Sequence, residues 1–430
     1  MFILNLEFFF EFLFFFENQY KMTKNFELCN TSTIDLNPCI IDYSKKFHAF
    51  IVGTYQLIEV GSKTYDEDYT EDQLAFLNNR IGSINVLNVD CKLICKHQCQ
   101  SGGVFDLKIS NYHHDTSSNS EMIFAAHSNG MFGIYKFENG VRIHNVQQIK
   151  TGQTMLTTIG DLFIGNILTI AIGSSDGQLL CYEFTINDSI ENLMEQSSAD
   201  NLIQSSIVTN DSLSIWYLKM VHLEIMESTI EQNLIFVCSE DSMWRIFTYS
   251  SKNLTKLFEN CDSSYGVTSI EIFRIDHVDL NTVSIILLVG SYDEYLRIYS
   301  IELKFDHHSK ETMKILQCLQ QKKIHINGGG IWRILVNNDN DDDDNNNTIL
   351  LSAMYSGAYW LTLEIPTEYQ NGFKQNHHLN IDYKLNKFPI ENDDSNENHL
   401  VYGIGSDSIL STILFASFYE KKIFLYKSCD

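Results

Sequence analysis

The stretch "HINGGGIWRIL", from His325 to Leu335, gathers groups that could do chemistry. Gly328, Gly329 and Gly330 run straight into Trp332 and Arg333. Backbone amides laid bare by glycine, with a guanidinium beside them, can hold an anion: a phosphate, or the oxyanion that develops during ester hydrolysis. Asp293 and Glu294, in "GSYDE" (290–294), supply carboxylates that could serve as acid or base. Tyr292, Tyr355, Tyr402 and Tyr419 add hydroxyls and aromatic faces. What these groups can do depends on the elements that carry them.

Those elements read as strands. An apolar strand, a tight polar turn and a second strand recur in "AFIVGTYQLIEV" (49–60), "MIFAAHSNGMFGIYKF" (122–137), "LTIAIGSSDGQLLCYEF" (168–184) and "LIFVCSEDSMWRIFTY" (234–249). The same phrase returns in "IILLVGSYDEYLRIYSI" (285–301), "ILLSAMYSGAYWLTL" (349–363) and "ILFASFYEKKIFLYK" (413–427). Asn, Asp and Gly in the turns supply the positive-φ conformations that short hairpins need. An earlier strand precedes most copies: "STIDLN", "GVFDLKIS", "LSIWYLKM", "GVTSIEIF", "GIWRIL" and "LVYGIG". The copies lie about 47 to 72 residues apart, a repeat lengthened by inserted loops.

Seven four-stranded units predict an all-β, seven-bladed β-propeller, each blade packing on its neighbours. "NFELCN" (25–30) is the segment that could complete the last blade and close the ring. The polar segment 186–205 reads as a helical insertion. In such a blade the b–c turn and the d–a connection leave at the same end, so "SYDE" and the three glycines should share one rim. The glycines are then a turn into the first strand of blade six. A phosphate loop would need a helix after them, and none follows.

Other motifs dissolve in the same way. Gly173-Ser-Ser-Asp-Gly177 matches a nucleophile elbow, but a strand rather than a helix follows. Cys91, Cys95, His97 and Cys99 lie on one face if "CKLICKHQC" is a strand, yet its end cysteines are then about 26 Å apart, too far for one metal. The four tryptophans are more often core than cage, because blades pack on large aromatics. No metal ligand set and no cofactor motif is expected.

Composition sets the remaining bounds. The 430 residues carry 30 Lys and Arg against 55 Asp and Glu, a net charge of −25. Nucleic-acid phosphates and anionic membranes would be repelled. "NNDNDDDDNNN" (337–347) is expected to be a disordered loop. Ten cysteines without a disulfide framework point to a reducing, cytoplasmic setting. The apolar residues 1–21, interrupted by Glu7, Glu11 and Glu17, are a poor signal peptide and a poor membrane span. They are expected to be dispensable, leaving 22–430 as one propeller.

Several phrases together resemble the WD-repeat family of diphthine methyl ester hydrolases: "GTYQL" (53–57), "GSYDE" (290–294), "GGGIWRI" (328–334), "LLSAMYSGAY" (350–359), "HLVYG" (399–403) and "ASFYE" (416–420). The resemblance covers 25–430 and is strongest in the first blade and the last three. It implies a carboxylic ester hydrolase without cofactor, acting on translation elongation factor 2. The enzyme would remove the methyl ester of methylated diphthine during diphthamide biosynthesis. Asp293, Glu294 and Arg333 would be catalytic; Tyr292, Gly329, Gly330, Trp332, Tyr402 and Tyr419 would bind substrate, whose trimethylammonium group suits aromatic rings. The chain departs from the family pattern at Tyr355, where histidine is usual, at Gly405-Ser406, where Asp-Trp is expected, and at Ser214, where an acid is usual. Asp293 could equally cap its hairpin and Arg333 pair with a neighbouring acid. The alternative is a non-catalytic propeller scaffold that only holds partner proteins.

Overall fold

The computed structural model describes residues 25–58, 70–110, 119–152, 155–186, 202–224, 231–250, 253–305, 313–336, 348–365, 381–389 and 400–429. They form seven four-stranded antiparallel sheets arranged as a β-propeller. The inner strands are Asn37–Ser44, Val104–Ile109, Leu156–Ile164, Ile215–Glu224, Val267–Asp279, Arg333–Val336 and Val401–Ser406, in blades one to seven. Each touches the next, and the last returns to the first.

The second strand of each blade is flanked by blades on both faces, so its sequence is apolar without alternation. Thr282–Ser291, Thr348–Ala353 and Thr412–Ser417 are buried throughout. Outer strands face solvent on one side; Leu93–Cys99 alternates accordingly. Between blades four and five the core holds Tyr217, Trp244, Leu287 and Tyr299.

Phe26–Thr33 completes blade seven, antiparallel to Lys422–Ser428 with Phe26 opposite Ser428. Phe26 packs between Trp360 and Phe388, at ring distances of 5.5 and 5.3 Å. The ring is therefore held shut by a strand from near one end of the chain and apolar side chains from blade six.

Two expectations are corrected, and one strand that the sequence left unnamed is located. "STIDLN" is not the inner strand of blade one: Ser32 and Thr33 still pair with Ile423 and Lys422, and the inner strand begins at Asn37. Blade three does have an inner strand, Leu156–Ile164, whose Thr-Thr-Ile-Gly run lacks the aromatic marker of its neighbours. The end of the segment read as a helical insertion is a strand, Leu202–Ile207, paired with Gln178–Thr185; residues 187–201 lie outside the described residues. So do residues 1–21 and 337–347. In "CKLICKHQC" the strand starts after Cys91, which sits in a turn at φ +63°.

One short helix, Glu71–Phe76, lies between the second and third strands of blade one, capped reciprocally by Thr70 and Gln73. Among the described residues no helix is long and apolar enough to cross a membrane.

Candidate functional site

Each inner strand opens with the same irregularity. In blades one to five and seven, one extra residue bulges out of the ladder: Cys39, Phe105, Thr157, Trp216, Thr268 and Tyr402. Trp332 occupies the matching position, just before the strand of blade six. A bulge re-aims its side chain, and here it aims one residue per blade at the mouth of the central channel. All but Thr268 line a cavity of about 710 Å3 at that mouth.

The seven divide by size. The small residues of blades one, three and five stitch the ring together. Cys39 Sγ donates to the Val104 carbonyl at 2.9 Å, while the hydroxyls of Thr157 and Thr268 donate to the carbonyls of Ile215 and Ile331. Each bond runs to the next blade. The aromatic residues of blades two, four, six and seven instead make the wall. Trp332 stacks on Tyr402 at 4.8 Å and meets Trp216 at 5.6 Å. Tyr292, from the blade-five hairpin turn, lies 6.0 Å from Trp332. Tyr55 stacks on Phe105 at 4.4 Å, and Phe418 joins Tyr55 to Tyr402.

The glycines explain how this wall closes. Gly328 turns the chain at φ +88°. A Cβ on Gly329 would sit 2.6 Å from the Ala353 carbonyl oxygen, and one on Gly330 would sit 2.8 Å from the Tyr292 backbone. The connection is thus clamped flat between the turns of blades five and six, which sets Trp332 beside Tyr292. Gly329 and Gly330 themselves do not line the cavity.

Arg333 is 5% exposed and borders both this cavity and a second one, of about 500 Å3, at the other end of the channel. Its Nη1 donates to the carbonyls of Thr268 and Trp332, at 3.2 and 2.9 Å. Its guanidinium lies 5.0 Å from the Tyr217 ring and 4.8 Å from the Trp332 ring. Nε has no partner, and no carboxylate of the described residues lies within salt-bridge distance. This is a buried cation answered by carbonyls and ring faces, with donor capacity to spare.

Asp293 is elsewhere. Arg297 grips both its oxygens, at 2.9 and 2.5 Å, while the Ser291 hydroxyl and the Ser264 amide donate to it as well. Arg297 and these donors outweigh the cost of burial and hold its carboxyl down at about 2. Blade four repeats the device with Ser239, Asp241 and Arg245. In this geometry Asp293 is a hairpin clamp, not a cavity residue. Glu294, at φ +67°, reaches His325 at 3.1 Å and also stays outside the cavity.

Of the residues singled out from the sequence, Tyr292, Trp332, Arg333, Tyr402 and Tyr419 share the cavity; Asp293, Glu294, Gly329 and Gly330 do not line it. Tyr355 is exposed on the blade-six turn and also does not line it. Sequence reasoning missed Tyr55, Phe105, Trp216 and Phe418, although Tyr55 and Phe418 stand inside the quoted "GTYQL" and "ASFYE". Trp244 and Trp360, by contrast, pack in the body of the blades.

Among the described residues no carboxylate and no imidazole lines the cavity. The nearest acid by bonding is Glu240, which accepts the indole N–H of Trp216. Burial pushes the phenol of Tyr402 up to about 12 and that of Tyr292 higher still, so both are hydroxyl donors at neutral pH. Burial likewise raises the Cys39 thiol, which stays protonated. Gly405, one of the departures, faces blade one: a Cβ there would sit 2.5 Å from Ile41, too close for any larger side chain without repacking. Ser214 donates to the Ser175 carbonyl at 3.1 Å.

Neither the protein-family models nor the curated proteins compared with this chain give a match.

Proposed function

We propose that the channel mouth binds a side chain carrying both a quaternary ammonium and a carboxyl ester, and that the protein hydrolyses that ester: a diphthine methyl ester hydrolase acting on translation elongation factor 2. The observation that carries this reading is the pairing of an aromatic wall with Arg333 at its base. Rings of Trp216, Trp332, Tyr292 and Tyr402 suit a trimethylammonium group, an interaction worth about 0.5–2 kcal/mol. Glu240 behind Trp216 adds negative charge on that side.

The ester would then point at Arg333, whose guanidinium borders the cavity and can donate to the carbonyl oxygen as it becomes an oxyanion. Water adds to the ester carbon, the bond to the methoxy oxygen breaks, and methanol leaves with a proton. The hydroxyls of Tyr292 and Tyr402, protonated at neutral pH, are placed to donate rather than to accept. No methyl donor is required.

A second reading is favoured by one observation: among the described residues the cavity walls hold no carboxylate or imidazole to take a proton from water. On that reading the mouth recognises the modified side chain and a partner protein without cleaving it. Incubating the protein with elongation factor 2 bearing methylated diphthine, without methyl donor, decides between them. Mass spectrometry should show loss of one methyl ester with release of methanol. A stable complex with the ester intact would establish the binding reading instead.

A further inference from the structure

The three cations lining the mouth, Arg80, Arg333 and Lys421, have no carboxylate within salt-bridge distance among the described residues. That is unexpected in a chain with 55 acids and 30 bases. Arg333 lies at the base. The other two lie together on the side of blades one and seven, away from Glu240. Arg80 donates to the Asn78 carbonyl at 3.0 Å and lies 6.0 Å from the Phe105 ring. Lys421 donates to Gln56 Oε1 at 2.8 Å. The acid that Lys421 influences, Asp35, is already bound by Lys96 at 2.7 Å.

Backbone geometry is a second, independent sign. The matching position of the hairpin turn is left-handed in blade after blade: Gly130 and Gly177 in blades two and three, Ser242 and Glu294 in blades four and five. Blade seven puts Lys421 into the left-handed region in its hairpin turn, at φ +55°, where glycine would be less strained. Arg80 follows Asn78 and Asn79, at φ +54° and +52°. Of the non-glycine residues at that turn position, Lys421 is the one that lines the cavity. Tyr419, which also lines the mouth, is 71% exposed, a large ring of the kind enriched at protein interfaces.

We infer that Arg80 and Lys421, with Tyr419, form a docking subsite for an acidic side chain of the partner protein, next to the residue inserted in the mouth. The inference rests on the proposed reading of the mouth, but it concerns docking and not cleavage. Charge complementarity fixes the chemistry of the occupant: the mouth's outer cations meet a protein carboxylate, while Glu240 and the rings meet the cationic head.

The test uses the full chain and elongation factor 2 bearing methylated diphthine, with binding measured by biolayer interferometry and turnover by methanol release. R80E/K421E should weaken binding at least tenfold and raise KM in proportion, while kcat stays within about twofold. Wild-type affinity should fall as salt rises, and that dependence should flatten in the double variant. Lys421→Gly should melt no lower than wild type, yet bind more weakly, a combination that a merely structural lysine would not give. Wild-type binding without hydrolysis would sink the esterase reading and leave the subsite standing if R80E/K421E still loses affinity. Unchanged affinity in R80E/K421E, or no binding by the wild type, overturns the subsite.

Discussion

Arg297 and Arg333 are both buried arginines near the same end of the propeller, and the molecule treats them in opposite ways. Arg297 is met by Asp293 on two oxygens, and blade four repeats that arrangement with Arg245 and Asp241. Among the described residues Arg333 is met only by two carbonyls and two ring faces, and no other blade carries its like on the inner strand at that position. What recurs from blade to blade is architecture. What breaks the repeat, at a place open to a cavity, is where a ligand should be sought.

The contrast can be broken by substitution. Asp293→Ala leaves Arg297 buried without its partner, and should cost about 3–5 kcal/mol of stability, read as a lower denaturant midpoint. Activity per folded molecule should be nearly unchanged. If Asp293→Ala instead keeps wild-type stability and loses turnover, the clamp and the site have been exchanged in this account. Arg333→Ala should do the reverse: a loss of about 100- to 1000-fold in kcat, the effect of removing one oxyanion donor, with a melting transition close to wild type.

Acid sharpens the comparison further. The Asp293 carboxyl is lowered to about 2 from an ordinary 3.8. Its contribution is therefore present above about pH 4 and is lost as pH falls through 2. This amounts to about 2 kcal/mol by linkage, and urea titrations at pH 5 and 2.5 should show it in the wild type but not in Asp293→Asn. The smallest effect belongs to the wall. Trp216→Leu or Trp332→Leu should each raise KM by roughly 3- to 30-fold, the loss of one ring face to a cation. An equal loss for Trp244→Leu, measured on folded protein, would show that the mouth has no special part in binding.

Much of the fold was legible because hairpin turns such as "SDG" and "YDE" punctuate apolar strands, and a ring of blades follows from their repetition. The closing strand was legible too, since closing the ring needs a strand from one end to complete the blade at the other, and "NFELCN" precedes the first blade. Blade three's inner strand was not, because Thr157 and Thr158 give no aromatic signal. The site was only partly legible. Trp332, Arg333, Tyr292, Tyr402 and Tyr419 stand out by type, but period-two reasoning cannot place a bulged residue, whose direction depends on where the ladder slips. With the structure known, the rule becomes visible in the sequence: the residue after the opening aliphatic, as in "GVF", "SIW", "GIW" and "LVY", is the one aimed at the channel. Asp293 stayed open in the sequence between hairpin cap and catalytic acid. An acid beside tyrosines at a rim resembles a catalytic group until Arg297, four residues on, is seen to hold it.

The most direct measurement sets the two arginine systems side by side. Arg333→Ala and Asp293→Asn, each at known folded fraction, are given elongation factor 2 bearing methylated diphthine, and methanol release is followed. Near-wild-type turnover per folded molecule is expected for Asp293→Asn and almost none for Arg333→Ala. Full turnover by folded Arg333→Ala would contradict that expectation.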